Sequence, residues 1–325
     1  MKAVLCKAYG PPESLVLEEV PSPAVGPKEV KVAVHYAGLN FPDTLIIAGT
    51  YQFKPPFPFS PGMEVGGTIL EVGKDVSGLK VGQRVMATTG HGGFAEEVIA
   101  PAEKVYPLPD KVSFEAAAAI PVTYGTTYHA LVDRGHLKPG EWLLVHGATG
   151  GVGLNAVEMG KMLGAKVIAT GGSDEKLAIA KQYGADALVN YSKEKIRDRV
   201  KEITGGTGAD VIYDPVGGDA FDESLRCINW DGRLLVIGFA SGRIPEAKAN
   251  LVLLKSCQIV GVFWGAYAAR DPKAARAAFE KILNWCAEGK LKPHISHTFP
   301  LDKVPEAMQT LLARKVIGKA VIKVR

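Results

Sequence analysis

Cysteine is scarce: the 325-residue chain holds four, Cys6, Cys227, Cys257 and Cys286, far apart and without a C-x-x-C pair. That spacing excludes a disulfide framework and a cysteine-rich zinc knot, and it predicts four small buried apolar side chains. No apolar run approaches the roughly 18 residues of a membrane span, and the opening MKAVLCKAYGPPES lacks the apolar core of a secretory signal, so a soluble, cytoplasmic protein is expected. A strong charge of either sign is missing too. The 38 basic and 34 acidic side chains leave +4, too mild a balance to predict a nucleic-acid partner. The one basic stretch, Lys193 to Lys201 (KEKIRDRVK), is interleaved with acids and reads as a solvated helix face. The seven histidines suggest no metal set: His294 and His297 are three apart in an expected strand, hence on opposite faces, and His146 precedes a glycine turn.

What is present is a change of texture. At 34.5 kDa the chain is long enough for two domains. Up to about Pro109 short valine-rich runs such as VKVAVHYAG (Val30 to Gly38) and GGTILEVG (Gly66 to Gly73) are punctuated by Gly and Pro, which predicts a barrel-like all-β unit. Within it Tyr51 to Pro61 (YQFKPPFPFSP) is a proline-rich aromatic loop that cannot be helix and can wall a flat substrate. The alanine-rich Ser113 to Ile120 and a helix over Thr123 to Arg134 mark the hinge between domains. From Glu141 onward strands and helices alternate: WLLV, KVIAT, ALVNY, DVIYDPVGG, RLLVIGF and IVGVFWG (Ile259 to Gly265) are the expected strands of a parallel, doubly wound sheet.

The stretch VHGATGGVG follows the first of these strands, and a helical pattern is expected from Asn155. Glycines there let the backbone approach a pyrophosphate, whose charge the helix N-terminus attracts, so Gly150, Gly151, Val152 and Gly153 form a candidate dinucleotide site. An NAD site carries an acid about 20 residues further on, at the tip of the second strand. Here the tip reads Ala169-Thr170-Gly171-Gly172, without one. Ser173, Lys176 and Tyr191 are candidate donors to a 2′-phosphate, which points to NADPH.

The segment GEWLLVHGATGGVGLNAVEMGK (Gly140 to Lys161) closely resembles the signature of the zeta-crystallin-like quinone oxidoreductases of the medium-chain dehydrogenase/reductase superfamily. AGLNFPDTLIIAGTY (Ala37 to Tyr51), PVTYGTTYHAL (Pro121 to Leu131), YDPVGG (Tyr213 to Gly218), LLVIGFASG and the closing GKAVI (Gly318 to Ile322) resemble the family in order and spacing. The resemblance implies a GroES-like β-barrel catalytic domain, residues 1–122 and 266–325, with a Rossmann domain, residues 123–265, inserted in it. In the zinc-dependent branch a Cys stands at Asn40 and a His in the Pro61 to Glu64 segment, so the likeness is to the zinc-free branch, with no metal site. Glu158 replaces a usual Gln, and Met63 a usual small or polar residue.

Carried over by position, Tyr51, Thr127, Gly150 to Gly153, Gly172, Ser173, Lys176 and Tyr191 contact the cofactor. Gly217, Ile237, Gly238, Phe239, Ala240, Phe263 and Trp264 complete the set. Asn40 and Tyr51 are the expected donors to an acceptor oxygen, Thr127 approaches the nicotinamide, and Asp43 holds the loop. The resemblance implies hydride transfer from NADPH to a quinone or an α,β-unsaturated carbonyl, and a homodimer formed through IVGVFWG. An enoyl- or acryloyl-thioester reductase is the alternative enzyme, and a crystallin-like structural or RNA-binding protein the alternative of another class.

Overall fold

The alternating valines of Glu29–Leu39 obey the strand period: Val30, Val32 and Val34 are fully buried, whereas Lys31 and His35 are partly exposed. In the computed structural model, which describes residues 1–325, this strand is central to the first of two units, Met1–Val122 with Ala268–Arg325. Strands β1 (Lys2–Leu5) and β2 (Val16–Glu19) pair with each other. The main sheet takes β3 (Glu29–Leu39), β4 (Glu64–Val72), β5 (Arg84–Thr88), β6 (Glu97–Pro101) and β7 (Val105–Pro107).

The second unit, Thr123–Tyr267, is built on β8 (Trp142–Val145), β9 (Lys166–Gly171), β10 (Ala187–Asn190), β11 (Ala209–Asp214), β12 (Ile228–Val236) and β13 (Gln258–Gly261). Its strands are parallel, in the order β10-β9-β8-β11-β12-β13. Leu143, Leu144, Val145, Val167, Ile168, Val211 and Ile212 are all fully buried, as strands covered by helices on both faces require. The chain runs outward from β8 through β9 to β10, then returns to the other side of β8 for β11 to β13. The switch point of this doubly wound sheet therefore lies between β8 and β11, where such folds bind ligands.

The first unit is completed by β14 (Ile295–Pro300) and β15 (Lys319–Lys323), giving the order β14-β15-β3-β4-β5-β7 with β6 also on β3. β15 runs antiparallel to β3, placing Ala320 opposite Leu39. The core joins Val30, Val34, Ile46 and Phe94 to Val304, Met308 and Ile322.

Three expectations are corrected. The helix after the glycine turn spans Gly151–Met162, so it starts four residues before Asn155, and the glycines are its first turn. Gly153 is required by close approach: an added Cβ would lie 2.1 Å from the Gly147 carbonyl oxygen. The helix expected over Thr123 to Arg134 is present over that span, α-helical through Tyr128 and π-helical over His129–Arg134. IVGVFWG is not one strand: β13 stops at Gly261 and a helix, Trp264–Arg270, follows, because Trp264 buries its indole on Gly125. The second boundary between units falls within that helix, after Tyr267 rather than after Gly265.

Candidate active site

β3 ends at Leu39, and Asn40 caps the short helix Phe41–Ile47, with Pro42 in the first turn where its missing N–H costs nothing. Asp43 accepts from the Asn40 backbone N–H at 2.8 Å, one half of a capping box. The Asn40 side chain also reaches two charged groups outside the helix. Its Nδ2 donates to Glu64 Oε1 at 2.7 Å, and its Oδ1 accepts from Lys319 Nζ at 2.7 Å. Lys319 also donates to Glu64 Oε1 and to the Leu39 carbonyl, both at 2.8 Å, so its three N–H bonds meet three acceptors. Glu64 Oε2 accepts from the Val122 N–H at 2.7 Å. Glu64 is 0% and Lys319 3% exposed, which makes this a buried ion pair. Gly38 makes room for it: an added Cβ would lie 2.2 Å from Glu64 Oε1 and 2.0 Å from the Ala118 carbonyl oxygen. Opposite Glu64 on β5, the Thr88 hydroxyl is buried without a hydrogen-bond partner.

Asp43 is fully buried. Burial pushes its carboxyl up to about 7, against the pull of the Asn40 and Gly62 N–H groups and of Lys319. Tyr51, at the head of the proline-aromatic loop, has its phenol pushed up by burial and by the Asp43 carboxylate, so it keeps its proton at neutral pH. From this loop a row of rings runs through Phe53, His91, Phe59, Phe57 and Tyr9, with neighbouring centroids 4.7–6.3 Å apart. Phe53, Phe57 and Tyr9 are exposed.

In the second unit the loops at the carboxyl ends of the strands gather the expected cofactor residues. Gly150 caps the helix Gly151–Met162 without a side-chain bond, leaving the N–H groups of Gly151, Val152 and Gly153 as anion donors at its positive end. Thr127, 0% exposed, meets Tyr213 Oη at 3.1 Å and donates to the Val152 carbonyl at 3.4 Å, so it braces that first turn. After β9, Tyr191 covers Gly172, where an added Cβ would lie 3.0 Å from its hydroxyl. Ser173 caps the next helix, and Lys176 is half-buried in its first turn. After β11, Asp214 accepts from the Gly217 N–H at 2.9 Å, and Phe239 of the Ile237 to Ala240 loop packs on Gly217. His146 is structural: Nδ1 meets Thr170 Oγ1 at 3.1 Å and Nε2 meets Ser224 Oγ at 2.7 Å.

Asn40 is hydrogen-bonded to Asp43, whose charge also acts on Tyr51, and the glycine turn, Thr127, Gly172, Tyr191, Gly217 and the Ile237 to Ala240 loop line one end of the parallel sheet. Phe263 and Trp264 are not brought to the switch point. They follow the edge strand β13, where Phe263 is exposed and Trp264 is buried on Gly125. Sequence reasoning missed Lys319 and Glu64 altogether, since no local pattern separates a lysine that opens an edge-side strand from a solvated one. It also missed the fate of Asp174, the acid nearest the β9 tip, which is held by Asn190 and Lys193. The side chains at the barrel cluster do not fit zinc. Asn40 and Met63 offer an amide and a thioether, the Asn40 and Glu64 oxygens already hold an ammonium, and no three His, Cys, Asp or Glu side chains gather into a metal-holding group.

Asp43 supplies a pH test. Its native carboxyl titrates near 7 against 3.8 for an unburied one, so the folded state retains a proton that the unfolded state has lost. Stability from this group is fully present below about pH 4, falls as pH rises and levels off above about 7. Unfolding free energies of the wild type, from urea titrations, should decline between about pH 4 and 7 relative to Asp43→Asn, by a few kcal/mol in all. Parallel profiles for the two proteins contradict the burial effect.

Comparison with known proteins agrees with both halves of this geometry. The family described as alcohol dehydrogenase GroES-like domain matches residues 26–110, and that described as zinc-binding dehydrogenase matches residues 151–288. The chain is 45% identical over 325 residues to quinone oxidoreductase-like protein 2 homolog of Nematostella vectensis, covering 99% of this chain and 88% of the relative. It is 35% identical to the quinone oxidoreductase of Homo sapiens, covering 96% and 94%. Escherichia coli quinone oxidoreductase, crystallised with NADPH, superposes with a TM-score of 0.92 at 31% identity over 100% of both chains. A barrel unit and a Rossmann unit that match in fold, order and sequence along the whole chain place this protein among the quinone oxidoreductases of the medium-chain dehydrogenase/reductase superfamily.

Proposed function

We propose that the chain reduces a flat, electron-poor acceptor, a quinone or an α,β-unsaturated carbonyl, with NADPH as hydride donor and without zinc. The observation that carries this reading is the glycine turn at the β8/β11 switch point, where Gly153 lets the helix N-terminus close on Gly147 and the first turn carries N–H groups beyond the reach of intrahelical bonds. Bound NADPH supplies a hydride from C4 of its nicotinamide. The turn would hold the pyrophosphate, and Ser173, Lys176 and Tyr191 beside Gly172 the 2′-phosphate. Asp174 does not oppose a phosphate there, because Asn190 and Lys193 engage its carboxylate. Gly217 and the Ile237 to Ala240 loop continue the cofactor surface, and Thr127 is assigned to the nicotinamide side. Phe263 and Trp264 are assigned to subunit contact and core packing instead.

Hydride arrival builds negative charge on the acceptor oxygen, and donors aimed at it lower the barrier. Asn40 gives one amide hydrogen to Glu64 and retains another for this role, and Tyr51, protonated at neutral pH, offers its hydroxyl and the final proton. The ring row from Phe53 to Tyr9, exposed at Phe53, Phe57 and Tyr9, suits a flat acceptor better than a thioester chain.

A homodimer is part of the reading: β13 is an uncovered edge strand, and Leu253, Leu254 and Phe263 beside it are 79%, 67% and 54% exposed.

Three measurements test these points. NADPH consumption against quinones, alkenals and enoyl thioesters should be fastest with the first two classes and fall about 100-fold in kcat for Asn40→Ala; thioesters as best acceptors would reassign the substrate. Lys176→Glu should lower the preference for NADPH over NADH by at least about tenfold, since a charged hydrogen bond contributes about 1.5–3 kcal/mol. An unchanged preference removes Lys176 from the phosphate site. Sedimentation should give twice the 34.5 kDa chain mass, and a monomer at micromolar concentration rejects the edge-strand pairing.

A further inference from the structure

The Asn40 amide can sit in its pocket two ways, related by exchanging Oδ1 and Nδ2. With the oxygen facing Lys319 and the nitrogen facing Glu64, every contact is a donor meeting an acceptor. Reversed, the amide NH2 would face an ammonium and the amide oxygen a carboxylate, two repulsive pairs in place of two hydrogen bonds. The surroundings keep both partners in place. Glu64 is pinned by the Val122 N–H at its other oxygen, and Lys319 by the Leu39 carbonyl. Within this arrangement Nδ2 gives one hydrogen to Glu64 and keeps its second uncommitted.

We infer that Lys319 is a positioning residue for hydride transfer: its buried ammonium fixes the amide of Asn40 so that the uncommitted N–H is presented to the acceptor oxygen. The inference rests on the reading of Asn40 as the acceptor's donor and adds to it the group that sets the donor's orientation. Lys319 is 279 residues away from Asn40 in the chain, so the C-terminal strand β15 supplies a part of the site that the Asn40 loop lacks.

Removing Lys319 alone would strand the Glu64 carboxylate and unfold the unit, so the informative protein is Lys319→Met/Glu64→Gln, which removes both charges at similar volume. The amide introduced in place of the Glu64 carboxylate must turn its oxygen to the Val122 N–H, which aims its NH2 at Asn40 Nδ2, donor against donor. The Asn40 amide then turns over. The double variant is expected to keep the wild-type thermal midpoint and NADPH affinity by fluorescence titration, while kcat with a saturating quinone falls about 100-fold. Wild-type kcat in this variant overturns the inference, because Lys319 then does no more than neutralise Glu64.

A second readout needs no turnover. The Asn40 side-chain amide resonances, assigned by difference against Asn40→Ala in ¹⁵N-labelled protein, should show one slowly exchanging hydrogen, held by Glu64, and one fast. In the double variant the slow hydrogen should be lost. Two equally fast hydrogens in the wild type, or an unaltered pair in the variant, refute the positioning role even if the double variant folds poorly. Absence of NADPH-linked reduction across all acceptors in the wild type refutes the functional reading instead, and the resonances still decide whether Lys319 orients Asn40.

Discussion

A buried ammonium must find three acceptors, and much of the first unit is arranged so that Lys319 finds them. One is the carbonyl at the end of β3, one the amide that follows it, and one a carboxylate at the start of β4. Satisfying all three requires the C-terminal strand to return beside β3, 280 residues away from Leu39. Breaking one partner of such a pair costs about 3–5 kcal/mol, comparable with a large share of a domain's net stability. The same pair leaves little freedom to neighbours: Gly38 must be glycine to clear Glu64, and Val122, the last residue before the second unit, is held by Glu64 Oε2.

The second unit is shaped by a different constraint, that of bringing backbone N–H groups up to a phosphate. Its parallel strands are buried on both faces, so ligand chemistry is confined to the loops at their carboxyl ends. The glycine turn lies where β8 and β11 part, and Thr127 and Tyr213 brace its first helical turn from beneath. Burial pushes the Tyr213 phenol well above its ordinary range, consistent with a neutral hydroxyl that serves structure rather than proton transfer.

Periodic segments were legible because one residue's environment repeats along them. The runs WLLV and KVIAT, whose residues beyond the leading Trp142 and Lys166 are buried, announced the parallel sheet, and the Val30 to Val34 alternation announced a half-buried strand. The irregular joints were less legible. IVGVFWG has strand composition throughout, yet Trp264 leaves the strand to fill the space above Gly125, and the π-helical turn at His129 has no signature of its own. Within the site, the glycines, Asn40 and Tyr51 could be named from spacing and resemblance. Resemblance alone aims the Asn40 amide at a substrate, whereas half of its donor capacity goes to Glu64.

The two-unit organisation, the dinucleotide turn and the missing acid at the β9 tip can all be read along the chain, because each depends on residue types close together in it. Tertiary structure decided how charge is placed. Asp174 is paired with a lysine from the loop beyond β10, Asp43 is raised by burial that no local pattern encodes, and Lys319 reaches Asn40 and Glu64 through strand pairing alone. Electrostatic partners act through space at a few ångströms, whereas residue periodicity reports only on which face of an element is covered.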